Sequence, residues 1–228
     1  MKKAALISSC ILNVALVAST ITFACLLTCA NKKPNFNKVR EAVFEIHVSD
    51  DYSNRNGTCF AVRNDVFVTN AHIIGNSYKE LIIGDKRRNL SSSGELLYID
   101  KVLDIAACRC SSIADFEPLK ITTNYTSPGN RCYSLGNAGN NGVTLYEGII
   151  SDISFKYINN NVEQTYIEAN IKSYQGVSGG PLFNKYGECI GMNTFSMYVN
   201  GNADEGVIEE FGYAIRGETI TKILENVK

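Results

Sequence analysis

A chain of 228 residues is long enough for one or two compact units, and strand-rich folds of this size often form one domain. Lys+Arg 22 against Asp+Glu 23 gives a formal net charge of −1, which supplies no basic face for nucleic acid or an anionic membrane surface. The body is rich in Ile, Val, Tyr, Asn and Gly, with no Trp and four Pro, a mixture that favours strands joined by turns over a helical bundle.

Met1-Lys2-Lys3 opens the chain with positive charge, and Ala4 to Ala30 carry none. Residues 1–30 therefore read as a signal peptide or a membrane anchor, long enough to span a bilayer. Leu26-Leu27-Thr28-Cys29 resembles a bacterial lipobox, which makes Cys29 a candidate lipidation site; Thr28 stands where a smaller residue is usual. An uncleaved signal anchor is the rival reading. Lys32, Lys33, Lys38 and Arg40 fit an exported C-terminal side poorly under the positive-inside rule. The expectation is a membrane-attached protein of the cell envelope.

Residues 31–37 read as a polar linker. Strand signals then recur at short intervals: Val43 to Val48, and a hairpin of Thr58 to Val62 and Val66 to Thr69 across Arg63-Asn64-Asp65. Leu81 to Ile83, Glu95 to Ile99 and Ile105 to Cys110 follow. Pro118 and Pro128 bracket a less regular connection between two halves. The second series runs Arg131 to Leu135, Thr144 to Ile153, Gln164 to Glu168, Pro181 to Phe183, Cys189 to Phe195 and Phe211 to Ile215. Thr219 to Val227 has the apolar spacing of a short amphipathic helix. Many short strands so spaced predict barrels or a sandwich.

Of the eight cysteines, Cys10, Cys25 and Cys29 lie in the apolar leader and Cys59, Cys108, Cys110, Cys132 and Cys189 in the body. An odd count there argues against a fully paired disulfide framework. With two histidines in the chain no metal site is expected, and the body cysteines read as buried free thiols.

Gln175-Gly176-Val177-Ser178-Gly179-Gly180-Pro181 can continue neither a helix nor a regular strand ladder. Such a turn exposes the Ser178 hydroxyl and aims the N–H groups of Gly176 and Ser178 into one small space, the arrangement acyl transfer needs. The plainer reading is a Gly/Ser turn between strands. A serine needs a base, and the choice lies between His47 and His72. His47 lies inside an alternating strand; His72 follows a strand and a small alanine, where an imidazole can lean towards a neighbouring loop. The base in turn needs a carboxylate to fix its tautomer. Asp104, at the head of the apolar run Ile105-Ala106-Ala107-Cys108, is the better candidate, with Asp100 as the alternative.

Taken together, the chain resembles the trypsin-like serine proteases, nearest to the HtrA/Deg type. Thr69-Asn70-Ala71-His72 is similar to that family's histidine motif, Leu103-Asp104-Ile105-Ala106 to its aspartate motif and Gly176-Val177-Ser178-Gly179-Gly180-Pro181-Leu182 to its serine motif. Gly187 to Thr194 and Phe211 to Ile215 match the strands that follow, and the likeness covers roughly residues 38 to 227.

The resemblance implies an all-β domain over 38–228, with two six-stranded antiparallel barrels at about 38–116 and about 128–216 and a triad in the cleft between them. His72 is then the general base and acid, Asp104 its orienter and Ser178 the nucleophile, with Gly176 and Ser178 as oxyanion donors. Tyr213, Ala214 and Ile215 match the family's specificity-pocket wall, and Lys172 lies in a slightly longer segment beside it. The implied substrates are polypeptides, in processing or quality control at a membrane surface. No cofactor is implied, and a homo-oligomer fits. The family often carries PDZ domains after the protease, whereas this sequence ends at Lys228. The rival reading is an inactive trypsin-like fold used as a binding or scaffold protein; a hydrolase of non-peptide esters is the weaker third.

Overall fold

The computed structural model describes residues 34–159, 162–172, 174–200 and 208–227. The expected leader and Cys29 lie outside the described residues. Among the described residues no helix is long and apolar enough to cross a membrane.

Seven strands make the first sheet: β1 (Val43–Ser49), β2 (Asn54–Ala61), β3 (Val66–Thr69), β4 (Glu80–Asp85), β5 (Leu90–Ser93), β6 (Glu95–Asp100) and β7 (Ile105–Arg109). Their order is β5-β4-β1-β2-β3-β7-β6. The edge strands β5 and β6 are consecutive in the chain, separated by Gly94 alone, so the sheet curls back on itself. A Cβ on Gly94 would stand 2.6 Å from the Leu81 side chain and 3.2 Å from the Arg109 carbonyl. The missing side chain lets one stretch pass from pairing with β4 to pairing with β7. The expected six-stranded barrel is thus a seven-strand sheet in which one long strand is broken at a glycine.

The second sheet is a closed barrel of β8 (Arg131–Gly136), β9 (Thr144–Asn159), β10 (Val162–Asn170), β11 (Pro181–Phe183), β12 (Cys189–Asn200) and β13 (Ile208–Arg216), ordered β10-β13-β12-β11-β8-β9. Closure leaves no open edge.

A continuous apolar core joins the two sheets. Phe44 and Phe67 meet edge to face at 5.2 Å on the first, and Tyr133, Leu135 and Phe183 of the second belong to the same buried cluster. A five-residue helix, α1 (Phe36–Arg40), seals one end. Its Phe36 ring lies 4.7 Å from Tyr133 and 5.5 Å from Phe183, so a residue that reads as linker is a packing element. Near the other terminus, α3 (Gly217–Leu224) buries Ile220 and Ile223. It starts and stops earlier than its apolar spacing suggests, and at its end Arg63 donates to the carbonyls of Leu224 (2.9 Å) and Val227 (2.8 Å).

The first half of β2, Asn54-Arg55-Asn56-Gly57, has no strand signal of its own and is extended by pairing with Ser49 to Ile46 of β1. β9, β10, β12 and β13 also run beyond their apolar segments as paired hairpin arms.

The five cysteines of the body are free and buried. Burial pushes the thiols of Cys108, Cys132 and Cys189 up to about 12, and that of Cys59 well above the usual thiol range. Since all five are buried away from the reagent, iodoacetamide at about pH 8 should leave them unmodified in the folded protein and label them in urea. Intact mass spectrometry reads the count directly; labelling at native stability would contradict this packing.

Candidate active site

His72 is carried on a single helical turn, α2 (Ala71–Ile74), immediately after β3. Ala71, Ile73 and Ile74 are buried, which turns the imidazole outward, and Gly75 at φ +77 ends the turn. Four residues make no stable helix alone, so the turn needs outside support. Arg55 supplies it, donating from Nε to the Ile73 carbonyl and from Nη2 to those of Ile74 and Ser77, each at 3.0 Å. The guanidinium is itself held by Asp50 at 2.8 Å. The Tyr52 N–H, followed by Arg55, lowers the Asp50 carboxyl to about 2.

Asp104 ends the turn between β6 and β7 at φ +56, a left-handed backbone that aspartate tolerates better than most residues. Asp100 builds that turn, its Oδ1 accepting from the N–H groups of Val102 (2.9 Å) and Leu103 (2.8 Å). Asn70 Nδ2 donates to the Asp104 carbonyl at 3.0 Å. The Asp104 carboxylate faces His72: Oδ1 accepts the His72 backbone N–H at 2.9 Å, and Oδ2 lies 2.9 Å from Nδ1. Thr194 Oγ1 donates to Oδ2 at 2.6 Å from the other barrel. Of the two carboxylates weighed from the sequence, Asp104 therefore faces the imidazole and Asp100 is committed to the turn. His47 sits on β1, its Nδ1 2.6 Å from Asn56 Oδ1.

The loop before β11 presents Ser178. Gly176 at φ +100 and Gly179 at φ +83 are obligatory: a side chain on the first would collide with the Asn137 carbonyl, and one on the second with that of Thr58. Val177 is buried against Gly136. Ser178 Oγ donates to the Thr194 carbonyl at 3.0 Å. His72, Ser178, Gly176, Gln175, Gly139 and Asn140 are among the residues lining one cavity of 520 Å³. The sequence-selected His72, Asp104 and Ser178 thus converge across the junction of the two sheets.

Lys172, Tyr213, Ala214 and Ile215 do not line that cavity. Tyr213 stacks on Phe195 with centroids 4.8 Å apart and donates its hydroxyl to Glu168 at 3.0 Å. Burial, ahead of Glu168, pushes that phenol up to about 12. Ala214 and Ile215 lie in the core, and Lys172 is exposed. Sequence reading assigned no role to Thr194, Thr58, Arg55 or Asn137, since partners far away in the chain give each its task. Among the described residues no group of three or more His, Cys, Asp or Glu is arranged to hold a metal.

Replacing Arg55 by Met keeps the stem and removes the bonds that support the His72 turn. The expected loss of stability is about 2 kcal/mol, the range for charge-assisted hydrogen bonds, read as a lower urea midpoint at unchanged slope. An unshifted midpoint would mean that the turn stands without Arg55.

The family model of the trypsin-like peptidase domain matches residues 57–192, more than half of the chain. The serine endoprotease DegS of Salmonella typhimurium is 27% identical over 161 residues, covering 70% of this chain and 44% of the relative. A probable periplasmic serine endoprotease, DegP-like, of Rickettsia conorii is 31% identical over 175 residues, covering 72% and 32%. This chain thus spans about a third to a half of the curated relatives it matches. The fold is similar to that of the HtrA-type protease AlgW with tripeptide (TM-score 0.71, 19% identity, 83% of this chain and 61% of that one). It is similar too to the serine endoprotease from Yersinia pestis (0.67, 24%, 83% and 64%). From the family match and the shared fold, the chain belongs to the trypsin-like peptidase family.

Proposed function

We propose that this protein is a serine endopeptidase that cleaves polypeptides through an acyl-enzyme. The observation that carries the reading is the approach of His72 Nδ1 to Asp104 Oδ2 at 2.9 Å beside the cavity that His72 shares with Ser178. With Nδ1–H donated to the carboxylate, Nε2 is the free lone pair that takes the serine proton. Ser178 attacks the scissile carbonyl, His72 accepts the proton and returns it to the leaving amine, and water then repeats the sequence on the ester. The N–H groups of Gly176 and Ser178 stabilise the developing oxyanion. Asp104 holds the tautomer, aided by Thr194.

One observation favours the rival, a fold kept for binding. A hydroxyl has one proton, and that of Ser178 is engaged with the Thr194 carbonyl, so attack first requires that proton to swing away from the carbonyl towards His72. Catalytic hydrogen bonds often tighten only when substrate arrives, which makes this a resting arrangement. The setting we propose is the cell envelope, which the relative named as a probable periplasmic DegP-like endoprotease supports, with attachment through residues 1–30, whose uncharged run from Ala4 to Ala30 is the ground for it.

Hydrolysis of an unfolded protein substrate should fall by several powers of ten in Ser178→Ala and in His72→Ala, and stay near the original rate in His47→Ala. Retained turnover in Ser178→Ala, or a loss confined to His47→Ala, would refute the assignment.

A further inference from the structure

Thr58 lies on β2 of the first sheet, 118 residues from Gly176 in the chain, and is fully buried. Its hydroxyl uses both of its capacities on the loops of the other barrel. Oγ1 donates to the Gly176 carbonyl at 2.7 Å and accepts the Asn137 N–H at 2.8 Å. Its backbone N–H reaches the Ser178 carbonyl at 2.9 Å. Thr69 Oγ1 donates to the Thr58 carbonyl at 2.7 Å and fixes it from its own sheet.

These bonds control two peptide planes. The plane between Gly176 and Val177 is held by the hydroxyl itself. The plane between Gln175 and Gly176 is held through residue 139, whose N–H donates to the Gln175 carbonyl at 2.9 Å. In a trans peptide the Gly176 N–H points opposite to that carbonyl, so the bond from Gly139 decides which way this donor faces. Gly139 belongs to a loop that starts at Asn137, the residue docked on Thr58. Asn137 stiffens the loop by accepting the Gly142 N–H at 2.8 Å and donating to Asn140 at 3.2 Å. Glycine at 176 has no side chain to restrict rotation, so external bonds must set its orientation.

We infer that Thr58 is a positioning residue for the oxyanion site, fixing the Gly176 N–H from the opposite barrel. The inference rests on the peptidase reading above. Thr58→Val keeps the shape of the side chain and leaves the Gly176 carbonyl and the Asn137 N–H without their buried partner. Losing one oxyanion donor outright costs about a hundred- to a thousandfold in kcat, and misaligning one should cost about ten- to a hundredfold.

The test measures kcat and KM per reactive serine, counted by fluorophosphonate stoichiometry, so that partial unfolding does not register as slow catalysis. The Gly176 amide signal of 15N-glycine-labelled protein is recorded alongside. Expected are a lower kcat in Thr58→Val with KM nearly unchanged, a displaced Gly176 signal, and near-original values of both in Thr58→Ser. Unchanged kcat per reactive serine with an unmoved Gly176 signal would overturn the inference. A displaced signal in a protein that shows no Ser178-dependent hydrolysis would uphold the tie and overturn the peptidase reading alone.

Discussion

The carboxylate of Asp104 belongs to the first sheet's last turn, yet one of its donors stands on the second barrel. With a side chain 15% exposed, it has lost most of its water and depends on the His72 N–H, the imidazole and the Thr194 hydroxyl. A half-satisfied carboxylate at that depth is costly, so its geometry and the docking of the barrels stabilise each other. Thr194 extends the linkage, because its carbonyl takes the Ser178 hydroxyl while its side chain holds the aspartate. His72, Asp104 and Ser178 therefore have their relative positions only when the two sheets are in register.

Register comes from packing as well as polar bonds. Phe44, Ile46 and Phe67 of the first sheet share a buried cluster with Tyr133, Leu135 and Phe183 of the second, and Phe36 covers the latter pair of rings. Arg40 adds a bond from α1 to the carbonyl of Val143. Apolar burial of this kind is non-directional and gives adhesion. The hydrogen bonds of Thr58, Thr194 and Asp104 then select one alignment among those the core would accept.

The side chains that meet at the site were more legible in the sequence than the residues that hold them there. Ser178, His72 and Asp104 stand beside local features that betray them: flanking glycines, a strand end, the edge of an apolar run. The choice of Asp104 over Asp100 rested on that edge, and the hydrogen bonds of Asp100 to Val102 and Leu103 give its physical reason. The residues that support the site could not be read in the same way. Arg55 sits in a polar stretch without strand signal and Thr58 opens an ordinary strand, and the partners of both are supplied by folding. The break at Gly94 was equally silent, since Leu90-Ser91-Ser92-Ser93 before it carries no apolar alternation to mark a strand. Lys172, Tyr213, Ala214 and Ile215 carried only family likeness; the stacking of Tyr213 on Phe195 is a tertiary fact that no local pattern encodes.

The central claim is that Ser178 is a nucleophile activated across the junction of the barrels. Incubation with a peptidyl fluorophosphonate followed by intact mass and peptide mapping tests it most directly, since the reagent reports activation without requiring the natural substrate. The account predicts one adduct per chain, on Ser178, forming far more slowly in Asp104→Asn, where the imidazole loses its orienting charge. No adduct on a folded protein, an adduct on another residue, or equal rates in both proteins would contradict it.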